Sequence, residues 1–121
     1  MPDRAIVLGV TLALLTACGG GDGGDRAPED VARRYVASED PAKCDDATQA
    51  LLERNSRRRG AAARKACREA VARFDPPAGV KVTGKEVEGN RARVDLRAGG
   101  QDVTVSLTRD GDRWRVSALG R

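Results

Sequence analysis

The stretch RARVDLRAGGQDVTVSLTRDGDRWRVSA, residues 91–118, alternates apolar and polar side chains with a period of two. Ala92, Val94, Leu96 and Ala98 fall in one phase, and Arg91, Arg93, Asp95 and Arg97 in the other. Val103, Val105 and Leu107 then alternate with Asp102, Thr104, Ser106 and Thr108, and Trp114, Val116 and Ala118 repeat the pattern after Arg113. Such alternation marks antiparallel strands with one buried and one solvated face. Gly99-Gly100 and Asp110-Gly111-Asp112 supply the turns between them.

Working outward, residues 80–88 read as a strand before this run, separated from it by Gly89-Asn90. Val80 and Val82 share one phase and Val87 takes the other, which a β-bulge at Gly84 reconciles. Upstream of Gly79 the period lengthens from 2 to 3.6. Residues 61–74 predict a helix with Ala63, Ala66, Cys67, Ala70, Val71 and Phe74 on one face, closed by Asp75-Pro76-Pro77. Asp40-Pro41 opens an earlier helix, with Asp40 as cap and Pro41 in the first position. Cys44, Ala47 or Thr48, Leu51 and Leu52 form its stripe, a break at Asp45-Asp46 is compatible with the pattern, and its end falls within residues 55–60. The first helix starts at Pro28, where Glu29 and Asp30 suit the positive end of the helix dipole. It carries Val31, Ala32, Tyr35 and Val36 at four-residue spacings to about Ser38. Three helices followed by a four-stranded meander with one apolar face predict a two-layer α+β domain over residues 28–121, the helices packed on that face of the sheet.

Ahead of the domain, residues 19–27 are glycine and aspartate with almost no apolar content. A flexible segment of that length reaches roughly 15–18 Å. Residues 5–17 carry no charge and are rich in leucine and valine. That is shorter than the roughly 20 residues a membrane-spanning helix needs and matches the apolar region of a signal peptide. Leu15-Thr16-Ala17-Cys18 resembles the lipobox of bacterial lipoproteins. The resemblance implies cleavage of residues 1–17, a diacylglyceryl group on the Cys18 sulfur, and an extracytoplasmic domain held at the cell membrane by palmitate-type acyl chains. Two or more acyl chains anchor stably where one does not.

With Cys18 assigned to lipid, Cys44 and Cys67 remain, and in an oxidising compartment such a pair is most simply a disulfide. A two-cysteine zinc site is the alternative, but the chain has no histidine and no Cys-x-x-Cys, so no metal is expected. The bridge matters because the core is thin. Tyr35, Phe74 and Trp114 are the only aromatics among 121 residues, and alanine and valine bury little area each.

The formal net charge is +4 and removal of residues 1–17 leaves it unchanged, since one acid and one base are lost. Nucleic acid is not an expected partner for an extracytoplasmic chain; anionic lipid headgroups or wall polymers are the matching counter-charges. Arg54, Arg57, Arg58, Arg59, Arg64 and Lys65 form the densest positive cluster, which reads as a solvated helix end. Arg91, Arg93, Arg97, Arg113 and Arg115 form an outward basic row on the sheet. That row offers a second functional reading, a surface module for anionic lipid or wall polymer, although Asp95 and Asp102 offset it.

Ala32-Arg33-Arg34-Tyr35-Val36 in the first helix, Asp40-Pro41 with Cys44, the partner Cys67, and the closing residues 109–116 (RDGDRWRV) together resemble small, actinobacterial-type lipoproteins of the nuclear transport factor 2-like (NTF2-like, cystatin-like cone) superfamily. The resemblance spans nearly all of residues 28–121. It implies a curved sheet wrapped around a helix with a pocket, here shallow, lined by Tyr35, Phe74, Leu96, Val105 and Trp114. The superfamily includes isomerases and dehydratases that work by acid–base chemistry. None of the sheet's apolar-phase residues is titratable, so no catalytic residue and no cofactor is expected. The expected function is a non-catalytic binding or interaction domain taking a small apolar ligand or another envelope protein. An arginine-rich sheet face is poorly self-complementary, which favours a monomer.

Overall fold

A computed structural model describes residues 26–120 of the chain. The signal-peptide expectation, Cys18 and most of the glycine linker lie outside the described residues. Helix α1 spans Pro28–Ala37, with proline in its first turn and Glu29 and Asp30 behind it; Val31, Ala32 and Tyr35 are buried. The expected second helix divides in two. Pro41–Asp46 is a 3-10 helix, capped by the Asp40 carboxylate accepting from the Ala42 N–H at 2.9 Å.

The chain is extended at Ala47, which forms a parallel bridge to Val116. The Thr48 N–H donates to the Val116 carbonyl at 2.8 Å. The Thr48 hydroxyl accepts from the Leu51 N–H, so threonine caps helix α2, Gln49–Ser56. Arg57 closes α2 in the left-handed region at φ 60°. Helix α3, Gly60–Ala72, follows after three residues and stops two residues short of Phe74. Glu53 pins the turn between them by accepting from the Gly60 N–H at 2.9 Å and from the Gln49 amide at 3.0 Å. These bonds hold the Glu53 carboxyl below its usual range.

The sheet is a four-stranded antiparallel meander in the order β1 (Val80–Glu88), β2 (Arg91–Ala98), β3 (Gln101–Asp110) and β4 (Arg113–Gly120). Its β2–β3 turn runs through Gly99 at φ 57° and Gly100 at φ 83°. Two consecutive positive φ angles make the tight hairpin turn whose twist matches the strands, and only glycine adopts both without strain. The register shifts between Val82 and Gly84, which is the expected bulge. A second shift was not expected. Ser106 pairs with Ala118 but Leu107 with Val116, so Ser117 is the extra residue on β4. This turns Ala118 to the solvated phase, correcting its assignment to the apolar face, and brings Leu119, opposite Val105, to the helix side. Arg54 donates to the freed Ser117 carbonyl at 3.1 Å and steadies the bulge.

α1 lies across all four strands. Beneath it Val94, Leu96, Val105, Leu107 and Val116 are fully buried, each contributing roughly 1.5–3 kcal/mol. The helices-on-one-face α+β architecture is therefore as the sequence predicts. α3 packs mainly on α2 and the 3-10 helix and joins the core through Ala63, with Cys67 against it. A disulfide between Cys44 and Cys67, Cα atoms 6.1 Å apart, ties it to the 3-10 helix.

Candidate functional site

The inward stripe of α3 is built from small side chains. Ala63, Ala66 and Ala70 recur where leucine would fill the space between helix and sheet, and a cleft of about 590 Å³ remains there. The ends of α1 and α2 and the end of the sheet beyond the α1 crossing form its other walls. Tyr35 and Val36 come from α1, Leu52, Asn55 and Ser56 from α2, and Phe74 and Pro77 from the segment after α3. Ala98, Gln101, Val103 and Leu119 contribute from the strands. Among the described residues no carboxylate lines it.

Of the five residues expected to line a pocket, Tyr35 and Phe74 stand on the cleft wall. Leu96, Val105 and Trp114 do not, and that expectation is corrected. Leu96 and Val105 lie within β2 and β3 and Trp114 at the start of β4, all on the covered face of the sheet, with exposures of 0%, 0% and 7%. Space is left only past the end of α1, so the lining shifts from these residues to Ala98, Val103 and Leu119.

The most informative cleft residue is one that sequence reasoning passed over. Lys43 is 6% exposed yet lines the cleft. In a 3-10 helix residues i and i+3 lie on one side, so Lys43 and Asp46 both turn inward. Asp46, 1% exposed, is taken by others: Arg34 lies 2.6 Å from one carboxylate oxygen and Arg113 3.5 Å from the other. Among the described residues no carboxylate lies within ion-pair reach of the Lys43 ammonium. Its neighbours are rings, with the Phe74 centroid at 3.9 Å and the Tyr35 centroid at 5.5 Å. The ring faces compensate part of the lost hydration. Burial still pushes the Lys43 pKa down. Burial, and secondarily the Asp46 charge, pushes the Tyr35 hydroxyl up, keeping it protonated.

The arginines of the outward row on the sheet are largely paired. Arg93 lies 3.4 Å from Asp95, and Arg97 lies 2.9 Å from Asp102. Arg115 reaches Asp110 at 3.3 Å and donates to the Asp45 carbonyl at 2.6 Å. Arg113 is drawn to Asp46 at the β4 edge. Arg91 is exposed and stands between Glu88 and Thr108 in the register. Arg93, Arg97, Arg113 and Arg115 thus each have an acidic neighbour, while Lys81 on β1 stands opposite Arg97. In the other cluster Arg64 pairs with Asp45 and Lys65 approaches Glu69, while Arg57, Arg58 and Arg59 are exposed in the α2–α3 turn beside Ser56. Among the described residues no three potential metal ligands gather.

No protein-family model matches this sequence, and no curated protein matches it. Two solved structures are similar. One is a SEC-C motif containing protein from Rhodopseudomonas palustris, 18% identical, with a TM-score of 0.55 over 81% of this chain and 80% of that one. The other is a Campylobacter jejuni protein to which an NTF2-like transpeptidase role is ascribed, 14% identical, with a TM-score of 0.48 over 77% of this chain and 99% of that one. At these identities the first likeness concerns the fold alone.

Proposed function

We propose that this chain is an extracytoplasmic lipoprotein, anchored to the cell membrane through an acylated Cys18, whose domain is a monomeric, non-catalytic binding module of NTF2-like build. The observation that carries the binding reading is the apolar cleft beneath α3, whose volume of about 590 Å³ falls in the range of small-ligand sites. Its lining of small and apolar side chains with a few polar groups suits an apolar molecule held at one polar point. The chain has no histidine and, among the described residues, no carboxylate lines the cleft, which leaves it without the imidazole or carboxylate base that lyases and isomerases most often use and with Lys43 and Tyr35 as its titratable groups. The lipobox-like residues 15–18 support the anchor. A surface role on anionic polymer is disfavoured by the pairing of the arginine row.

Two measurements test this. In cells fed a tagged palmitate, the label is expected on the mature chain and lost from Cys18→Ser; an unlabelled chain that keeps residues 1–17 sinks the anchor. For the cleft, the full chain in phospholipid nanodiscs is expected to gain thermal stability from single-chain apolar ligands, and Ala66→Phe, which fills the cleft, to lose that gain. A flat response across alcohols, acids and amines of several chain lengths sinks the binding reading.

A further inference from the structure

Resting on the cleft reading, we infer that Lys43 makes the site selective for an amphiphile with one anionic head, a single-chain fatty carboxylate, whose head meets the ammonium while its chain follows the alanine stripe of α3. Three observations converge. The lysine is 94% buried and lines the cleft. Its ammonium sits by the Phe74 ring at 3.9 Å and near the Tyr35 ring at 5.5 Å. Asp46, the one buried carboxylate on the same short helix, is already shared by Arg34 and Arg113.

A buried charge is tolerated when it is paired, and an unpaired one is costly. Ring faces answer part of the positive charge from one side, while the cleft side of the ammonium meets no anion of the described chain. A carboxylate arriving there completes a charge-assisted pair in a low-dielectric setting, where such bonds are about twice as strong as neutral ones. Tyr35, kept protonated by its burial, stands on the same wall with a hydroxyl able to donate to that head. The rest of the wall selects for the chain. Val36, Leu52, Ala66, Val71, Val103 and Leu119 offer no hydrogen-bonding side chain, and Asn55, Ser56 and Gln101 are neutral, so a second charge on the ligand would lose hydration without a counter-charge on the described wall. A two-chain phospholipid is too large for the volume.

The test uses the full chain in nanodiscs and three probes of equal chain length: dodecanoate, dodecanol and dodecyltrimethylammonium. Apparent affinities come from thermal shifts measured for the parent chain, Lys43→Met, Lys43→Arg and Ala66→Phe. Dodecanoate is expected to bind the parent roughly 10- to 100-fold more tightly than dodecanol, the span of a hydrogen bond to a charged group, and the cation not at all. Lys43→Met should bring acid and alcohol level, Lys43→Arg should keep the preference, and Ala66→Phe should abolish both. Baseline melting of each variant separates loss of fold from loss of binding, and Lys43→Arg remains informative if Lys43→Met does not fold. If alcohol binds the parent as well as acid does, or Lys43→Met keeps the preference, Lys43 is only a brace between two rings and the inference falls while the apolar cleft stands. If no probe binds, both fall.

Discussion

Cutting the bridge between Cys44 and Cys67 should damage this domain more than any single surface change. The two cysteines are 23 positions apart. In the chain-entropy account a cross-link closing a loop of that length raises the free energy of the unfolded chain by about 3.4 kcal/mol. A domain of this size loses about 4–8 °C of melting temperature per kcal/mol, so the Cys44→Ala/Cys67→Ala double variant should melt roughly 14–27 °C lower. The loss should also be uneven. α3 is held mainly through α2 and the 3-10 helix, whereas β2 and β3 are bonded on both sides. Circular-dichroism melts with and without reductant give the size of the effect, and hydrogen exchange gives its location. The amides of α3 should lose protection before those of β2 and β3, and ligand stabilisation at the cleft should go with them. A change below about 5 °C would refute the entropic estimate, and equal loss of protection in α3 and the central strands would refute the picture of α3 as the less firmly held layer.

Glu29 accepts hydrogen bonds from its own helix turn and from Lys85 at 3.0 Å, which holds its carboxyl below 4.5. Because the unfolded chain takes up that proton first, its contribution is present above pH 4.5 and lost as pH falls through the lower folded value; Glu29→Gln should flatten that limb of an acid titration, and an unchanged limb would show the pair to be inert. Asp46→Asn removes the shared charge between Arg34 and Arg113. Since Arg34 is partly solvated, the cost should be about 2 kcal/mol, below the range for fully buried pairs, and a neutral urea midpoint would contradict the ion pairs. Leu119→Asp should weaken ligand stabilisation at the cleft while Ala118→Asp leaves it intact, and the reverse order would place the bulge elsewhere than Ser117.

How far the sequence discloses this structure depends on how many residues carry each signal. β2 and β3 each present at least three apolar residues in phase, and their register is specified because a slip of one would expose the whole set. The first bulge was legible because Val82 and Val87 lie on either side of Gly84 in opposite phases. The second was not, because Ala118 and Leu119 are both apolar and β4 ends directly after them, so either phase fits. The break in the second helix was readable only as far as Asp45-Asp46. What enforces it is tertiary, the bridge between Ala47 and Val116, distant in sequence and adjacent in space. Lys43 escaped notice for a related reason. A lysine in a polar hexapeptide looks solvated at a 3.6-residue period, and its burial follows from the three-residue period of the 3-10 helix together with rings supplied by Tyr35 and Phe74. Leu96, Val105 and Trp114 were assigned to the correct face but the wrong depth, since strand periodicity fixes the side on which a residue lies and not where a helix crosses above it.

Thin composition and the cleft have the same origin. A third helix lined with leucine would settle onto the sheet, bury its stripe and need no cross-link, at the expense of the space beneath it. Alanine at positions 63, 66 and 70 gives up that burial, at about 0.8 kcal/mol for each methylene not buried, so α3 gains too little from the sheet to hold itself in place. Cys44–Cys67 makes up the difference by acting on the unfolded chain, with Cys67 itself standing on the cleft wall. The same 3-10 segment that carries Cys44 carries Lys43 one residue earlier, so the cross-link that ties α3 to this segment also helps fix the position of the one ammonium among the described cleft residues. A domain that merely needed stability could have obtained it with larger side chains; small ones together with a bridge leave a volume behind.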